Sequence, residues 1–300
     1  MQLPAKHITN PIEPVNNNWL FIFRVSIAGF ALFHFLIIQP DFGDLYSYNG
    51  YVYPDIMDGL YDHATPTLTS LTETFNSWHL YINYDSLLLF CRLAYPLVLF
   101  FLLIGIFTRM SAIASLFFQL LLLKSIHLYE YGVDFYTTFS LFYCCVFPVG
   151  KIRSLDNRIF KPRLPTYPLL YLRLLQAHLA VAYFFSGFDK IIGVTWRNGE
   201  AIWKTLHSHN YFTVFNLDFL SGTPAFFIGG WLTIIFEMGY PVFMNRAGTR
   251  KAWLRGIIGL HLFIGLFMGL FLFATLLILL NLATWQAPYR KAGSLKWLNQ

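Results

Sequence analysis

Eight ionisable residues stand within or near the ends of long apolar runs: Arg24, His34, Arg92, Arg173, His178, Lys190, Glu237 and His261. A charged side chain at a helix centre in a bilayer costs at least about 2.5 kcal/mol unless it is paired, hydrated or neutral, so these positions are where chemistry or ion pairing is to be sought. Arg24, Arg92 and Arg173 lie close to the ends of their runs, and their heads are expected to snorkel to the interface. His34, His178 and His261 are of haem-ligand type. No two of them have the spacing of a transmembrane bis-histidine haem, and no HxxxH or HxxHH cluster suggests di-iron. Hydrogen-bonded packing is therefore expected for them, and no metal. Lys190 closes the string LLQAHLAVAYFFSGFDK, near the outer end of its run, with Ser186 and Asp189 beside it and TWRNGE soon after. It is either a lysine snorkelling beside a carboxylate or one desolvated among aromatics. In the second case burial disfavours the ammonium and leaves a neutral amine that can take a proton as a general base. Contact with Asp189 would oppose this, although neighbours on a helix point about 100° apart.

The chain that must position these residues is not that of a soluble domain. Of its 300 residues, 56% are hydrophobic, 19% aromatic and 12% charged, with a mean hydropathy of +0.52. That apolar excess is too large to bury in one aqueous core of this length, so the expected solvent is a bilayer, with membrane lipid as the first partner. The net charge of +6 comes from short basic clusters between apolar runs and forms no basic stripe, which excludes nucleic acid as a partner. Cys91, Cys144 and Cys145 all lie in apolar runs, where they read as small packing residues, not as a disulfide framework or thiolate metal site.

Seven apolar runs, at about 19–39, 86–106, 110–129, 133–149, 169–194, 224–244 and 256–286, are long enough, or nearly so, to cross a core of roughly 30 Å. The last is about 31 residues and is expected as one tilted helix or two passes, with two favoured by its basic tail. The fold class expected is an all-α integral membrane protein, a polytopic bundle of seven or eight transmembrane helices with a long outer loop. Its parts are a leader at 1–18, expected to be retained and cytoplasmic, a transmembrane domain at 19–286, and a basic tail at 287–300. Lys151, Arg153, Arg158, Lys161 and Arg163 crowd one loop, and Arg246, Arg250, Lys251 and Arg255 another, so both loops and the amino terminus are expected on the cytoplasmic side. The loop at 39–85 has no Lys or Arg and seven acidic residues, and is expected outside. Its aromatics, including Tyr48, Tyr51, Tyr53, Trp78 and Tyr81, predict a lid over the outer mouth of the bundle, on the same side as Lys190.

Two polar segments carry a family resemblance. The run Tyr183-Phe184-Phe185-Ser186-Gly187-Phe188-Asp189-Lys190, followed by Trp196 and Gly199, resembles the YF-small-G-x-x-K…W…G segment of the vitamin K-dependent gamma-carboxylases. Those enzymes have bacterial relatives in the HTTM (horizontally transferred transmembrane) family. His127-Leu128-Tyr129-Glu130-Tyr131-Gly132 resembles their H-x-Y-x-Y-G segment. Weaker likenesses follow in the same order at 103–109, at Glu237, and at His261 with Gly265 and Phe273, so that most of 19–286 is covered.

The resemblance implies that Lys190 is the catalytic base that deprotonates vitamin K hydroquinone and that His127 belongs to the active site. It further implies that Tyr183, Phe184, Trp196, His261 and Tyr131 flank the cofactor. The cofactor would be a reduced naphthoquinone, vitamin K hydroquinone or menaquinol, used with O2 and CO2 to generate and carboxylate a carbanion on a peptide or protein substrate. The implied location is a bacterial cytoplasmic membrane. Two departures weaken carboxylation in particular: the large extramembrane region of the animal enzymes has no counterpart in this chain, and Asp189 stands where they have a lysine. The alternative is a non-catalytic HTTM membrane protein that binds a peptide or lipid, as in secreted-toxin maturation or immunity.

Overall fold

A computed structural model describes residues 16–60, 66–161, 168–207 and 217–288. Those residues form helices and connecting turns, with no strand among them. Eight helices build the bundle: α1 Asn18–Ile37, α2 Tyr84–Ile104, α3 Thr108–Ser125, α4 Gly132–Val146, α5 Pro168–Ile192, α6 Ala225–Phe243, α7 Ala247–Met268 and α8 Phe271–Asn281, the last prolonged by a π turn at Leu282–Gln286. Five of them, α1, α2, α5, α6 and α7, are long and apolar enough to cross a membrane. Their outward faces stay apolar: Phe33, Leu93, Phe185 and Ile235 are all more than 40% exposed, as expected where the surrounding solvent is hydrocarbon.

The long last run is two helices. Gly269, at φ +71°, takes the left-handed conformation that a glycine tolerates without strain, and the chain turns back there. Gly265 on α7 then lies against Ala274 on α8, closely enough that an added Cβ would sit 3.1 Å from the alanine's. The small-xxx-small spacing of Gly265 and Gly269 thus serves a tight helical hairpin.

One end of the bundle gathers the basic loops. Arg24 on α1 is buried, donating from Nη1 to the Val149 carbonyl at 3.1 Å and from Nη2 to the Arg153 carbonyl at 2.8 Å. Snorkelling does not describe it: the guanidinium satisfies carbonyls of the loop after α4, which a cation without an aqueous partner must do. Arg92, half-buried, donates to Gln39 Oε1 at 2.8 Å and lies over the Phe42 ring. At the same end as Arg24, Asp156 accepts from the backbone N–H groups of Phe107 and Thr108 at 2.8 and 2.7 Å, capping the start of α3. Asn16 N–H donates to the Pro288 carbonyl, and Arg250 lies over Trp285. The start of α1, the α2–α3 turn, the basic loop after α4, the α6–α7 turn and the end of α8 therefore meet.

The segment at 39–85 closes the opposite end of α1, α2 and α3, through the short helices Phe42–Tyr46, Pro54–Gly59 and Leu68–Ser77. Leu68 N–H donates to Ser125 Oγ at 2.9 Å, and Tyr84 OH to the Tyr46 carbonyl at 2.8 Å. Its role differs from the expected lid over Lys190. Tyr48, Tyr51, Tyr53, Trp78 and Tyr81 all face outward, and buried Phe42, Tyr46 and Leu68 do the packing. The cover beside Lys190 is instead the α5–α6 connection, with its short helices Val194–Arg197 and Glu200–Leu206.

Candidate functional site

Lys190 sits two residues before the end of α5, yet it is not at the edge of the bundle. Gly187, one turn earlier, lets α5 press onto the middle of α6: a Cβ there would lie 2.7 Å from Met238 Cγ and 2.8 Å from the Met238 backbone nitrogen. The lysine is thereby level with Glu237, about twelve residues and roughly 18 Å along α6 from Ala225. Lys190 Nζ donates to Glu237 Oε2 at 2.8 Å, to Ser186 Oγ at 2.7 Å and to the Ser186 carbonyl at 3.3 Å, and it lies 5.0 Å from the centroid of the Trp196 ring. The two charged side chains retain only 17% and 7% of their exposure. Asp189, expected as the rival partner, is exposed and takes no part. The helical offset of 100° between neighbours accounts for that difference.

The pair opens onto a cavity of about 570 Å3 between α4, α5, α6, α7 and α8 and the α5–α6 connection. Its wall is mostly apolar and aromatic, including Trp196, Phe226, Phe236, Phe263, Met268 and Phe273, and its polar groups are few: Ser186, Lys190, Glu237, Thr205, Thr233, His261 and the phenols Tyr136 and Tyr183. That is the pattern of a small-molecule site, a largely apolar hollow of roughly 300–1,000 Å3 with a small set of oriented polar groups.

Behind the wall runs a chain of hydrogen bonds. Trp285 Nε1–H donates to Tyr240 OH at 2.7 Å, and Tyr240 OH donates to Asn281 Oδ1 at 2.7 Å. Asn281 Nδ2 donates to the Leu277 carbonyl at 2.9 Å and to Tyr183 OH at 2.8 Å. Tyr183 OH lies 2.7 Å from His261 Nε2. The rings of Tyr183 and Tyr240 stack at 4.1 Å, and both are buried, as are Asn281, Trp285 and His261. The other ring nitrogen, His261 Nδ1, is buried with no hydrogen-bond partner.

Of the residues expected at the site, Lys190, Tyr183, Trp196 and His261 line this cavity, whereas Phe184, His127 and Tyr131 do not. Phe184 stands on the outward side of α5, stacked on Phe188. His127 occupies a 3-10 turn after α3, where its Nδ1 pairs with Glu130, and Glu130 also holds Lys124 at 3.2 Å. Tyr131 borders a separate hollow of about 140 Å3 with His34, Tyr95, Gln119 and Asp134. There burial pushes its phenol up to about 12, with the Asp134 carboxylate adding to the shift, so it remains a donor at neutral pH. His178 bonds Tyr143 OH at 2.8 Å and lies tilted against the Phe139 ring, the packing role its isolation suggested.

Glu237 stands out in the sequence as an ionisable residue in a run and as a weak point of the family likeness, and Ser186 as part of a polar patch, but neither is assigned there as the partner of Lys190. Asn281 and Tyr240 were missed. The available signal was Asn281 itself, an amide in the middle of the apolar stretch LLILLNLATW, because a buried amide in an apolar helix needs partners. No family model matches the chain, and neither a curated protein nor a solved structure matches it.

Proposed function

We propose that this chain is a polytopic membrane protein of the HTTM and gamma-carboxylase kind, with eight crossings and both ends of the described bundle on the cytoplasmic side. We further propose that its cavity takes a reduced naphthoquinone from the bilayer. The observation that carries the reading is the Lys190–Glu237 pair on the wall of an apolar cavity between membrane-length helices. Five helices of membrane length, the gathering of basic loops at one end, and the α7–α8 hairpin support the topology.

The residues fit such a guest. Aromatic and aliphatic walls suit a fused ring and prenyl tail, and the lining polar groups suit ring oxygens. A bound naphthoquinol would supply the reducing equivalents for reaction with O2, and the resemblance extends this to carbanion formation and capture of CO2 on a peptide. The chain's own part is proton handling. Lys190 and Glu237 are together neutral, whether as ammonium and carboxylate or as amine and acid. A proton accepted from a quinol hydroxyl leaves the pair with one net positive charge, beside the oxygen that has become anionic. That placement stabilises charge where it develops, and Trp196 and the α5–α6 connection keep water from competing.

Purified protein in lipid nanodiscs, given menaquinol and air, should form menaquinone epoxide detectable by mass spectrometry, and a folded Lys190→Ala variant should not. No more epoxide from the wild type than from empty nanodiscs, or equal epoxide from the wild type and the folded variant, would overturn the reading and leave peptide or lipid binding as the function to test.

A further inference from the structure

The smaller hollow, of about 140 Å3, is separate from the cavity beside Lys190 and shares no lining residue with it. It lies between α1, α2, α3 and the start of α4, at the end of the bundle that the 39–85 segment closes, and that segment supplies Leu45 and Tyr46 to its wall. Rings make up much of the wall: Phe35, Tyr46, Tyr95, Tyr129 and Tyr131. Several are fixed in place. Phe35 meets Tyr95 edge-on at 5.0 Å, Tyr46 stacks on Phe42 at 4.5 Å, and Tyr95 OH donates to Gln119 Oε1. Aliphatic side chains from α1 and α3 supply most of the rest.

One carboxylate stands among them. Asp134, in the first turn of α4, is 9% exposed and lines the hollow, and its Oδ2 accepts the Tyr131 N–H at 3.0 Å. No lysine, arginine or histidine among the described residues forms an ion pair with it, and Lys124, at the end of α3, is held by Glu130. The Tyr46 and Tyr131 phenols are raised first by burial and next by the Asp134 charge, so both stay neutral near it. A carboxylate withdrawn from water without a cation is costly, and a cation in the hollow would remove that cost. The wall selects the kind of cation. A hard metal ion asks for roughly six to eight oxygen ligands, whereas here one carboxylate is set among rings and aliphatic chains. Aromatic faces attract an ammonium and its alkyl groups, and a cavity of about 150 Å3 holds a molecule the size of benzene.

We propose that this second hollow binds a small organic ammonium, its charge against Asp134 and its alkyl part among the tyrosines, carried either by a free amine or by the head of an ethanolamine lipid. The site stands independently of the reading of the Lys190 cavity.

The probe is propylammonium, titrated calorimetrically into the full chain in nanodiscs of phosphatidylglycerol alone, with empty nanodiscs as the baseline. Binding should saturate, and Asp134→Asn, whose amide oxygen can still accept the Tyr131 N–H, should weaken it by at least about tenfold. Absence of saturable binding, equal affinity for uncharged 1-propanol, or unchanged affinity in a folded Asp134→Asn variant would overturn the proposal. So would displacement by sodium or potassium at equal concentration, which would make the site one for an inorganic cation. A measurement on the wild type guards against misfolding of that variant: the methyl protons of bound propylammonium should show nuclear Overhauser effects to the Tyr129 ring, whose signals are identified by their loss in Tyr129→Phe. Bound propylammonium without those effects overturns the placement. The titration repeated in phosphatidylethanolamine separates the sources: lost binding identifies the lipid head as the occupant, unchanged binding a free amine, and either keeps the ammonium.

Discussion

Lys190 Nζ and Glu237 Oε2 are 2.8 Å apart, and the contact joins α5 to α6 where both side chains are largely withdrawn from solvent and an unpaired charge would be costly. Neither residue is interpretable alone. The lysine's amine needs the carboxylate, and the carboxylate has lost nearly all of its water.

The first prediction follows from that dependence. Removing one member of a buried pair strands the other, which typically costs about 3–5 kcal/mol, whereas replacing both by apolar residues of similar size is close to neutral. Glu237→Leu and Lys190→Met should each lower the thermal midpoint in detergent, and the double variant should recover most of the loss. Independent, additive losses would show that the two groups do not depend on each other.

A second prediction concerns Gly187. A side chain there meets both the backbone nitrogen and the side chain of Met238, so α5 must move off α6. Gly187→Val should destabilise by about 1–3 kcal/mol through overpacking. It should also part Lys190 from Glu237, so epoxide formation should fall by more than the loss of folded protein explains. A variant with unchanged midpoint and unchanged turnover would contradict the close approach.

The hydrogen-bond chain behind the Lys190 cavity gives a third. Asn281 joins Tyr183, Tyr240 and the Leu277 carbonyl, and Asn281→Leu leaves two buried hydroxyls each short of a partner. At about 1–3 kcal/mol for each unmet group, the variant should be among the least stable single changes in the bundle. Tyr240→Phe, which deprives Trp285 Nε1 and Asn281 Oδ1 of their partner, should be comparably harmful. Midpoints within a degree of wild type for both would show that the buried groups find other partners.

The apolar runs made the helices legible, because a bilayer leaves a spanning segment few choices. The basic clusters made one end of the bundle legible, and Arg24 reinforces it by bonding into the very loop those clusters define. Lys190 was visible for the same reason, as a cation where cations are costly. Its partner was not, because Glu237 lies 47 residues away and meets the lysine only through the close packing of the two helices at Gly187. Conversely, the likeness of sequence around His127 set it beside Lys190, while the fold commits it to Glu130 on a turn outside the cavity wall. Local motifs could not tell these cases apart. The aromatics of the 39–85 segment misled for a related reason: composition showed that the segment meets apolar surroundings, but not whether they are the bundle or the lipid interface.

The last prediction is orientation. Ile159 and Asn245 are exposed in the loop after α4 and the turn before α7, among the basic residues, while Tyr81 and Ser221 are exposed in the 39–85 segment and the α5–α6 connection, where Lys and Arg are few. An excess of Lys and Arg in short loops holds those loops in the cytoplasm during insertion. Single cysteines at these four positions should therefore divide when intact cells are treated with a membrane-impermeant maleimide. Tyr81→Cys and Ser221→Cys should label, and Ile159→Cys and Asn245→Cys should label only after permeabilisation. The native thiols interfere little, since Cys91 and Cys144 are buried and Cys145 is half-buried. The opposite division would invert the protein in the membrane, and labelling of Ser221→Cys on the same side as Asn245→Cys would refute the crossing by α6.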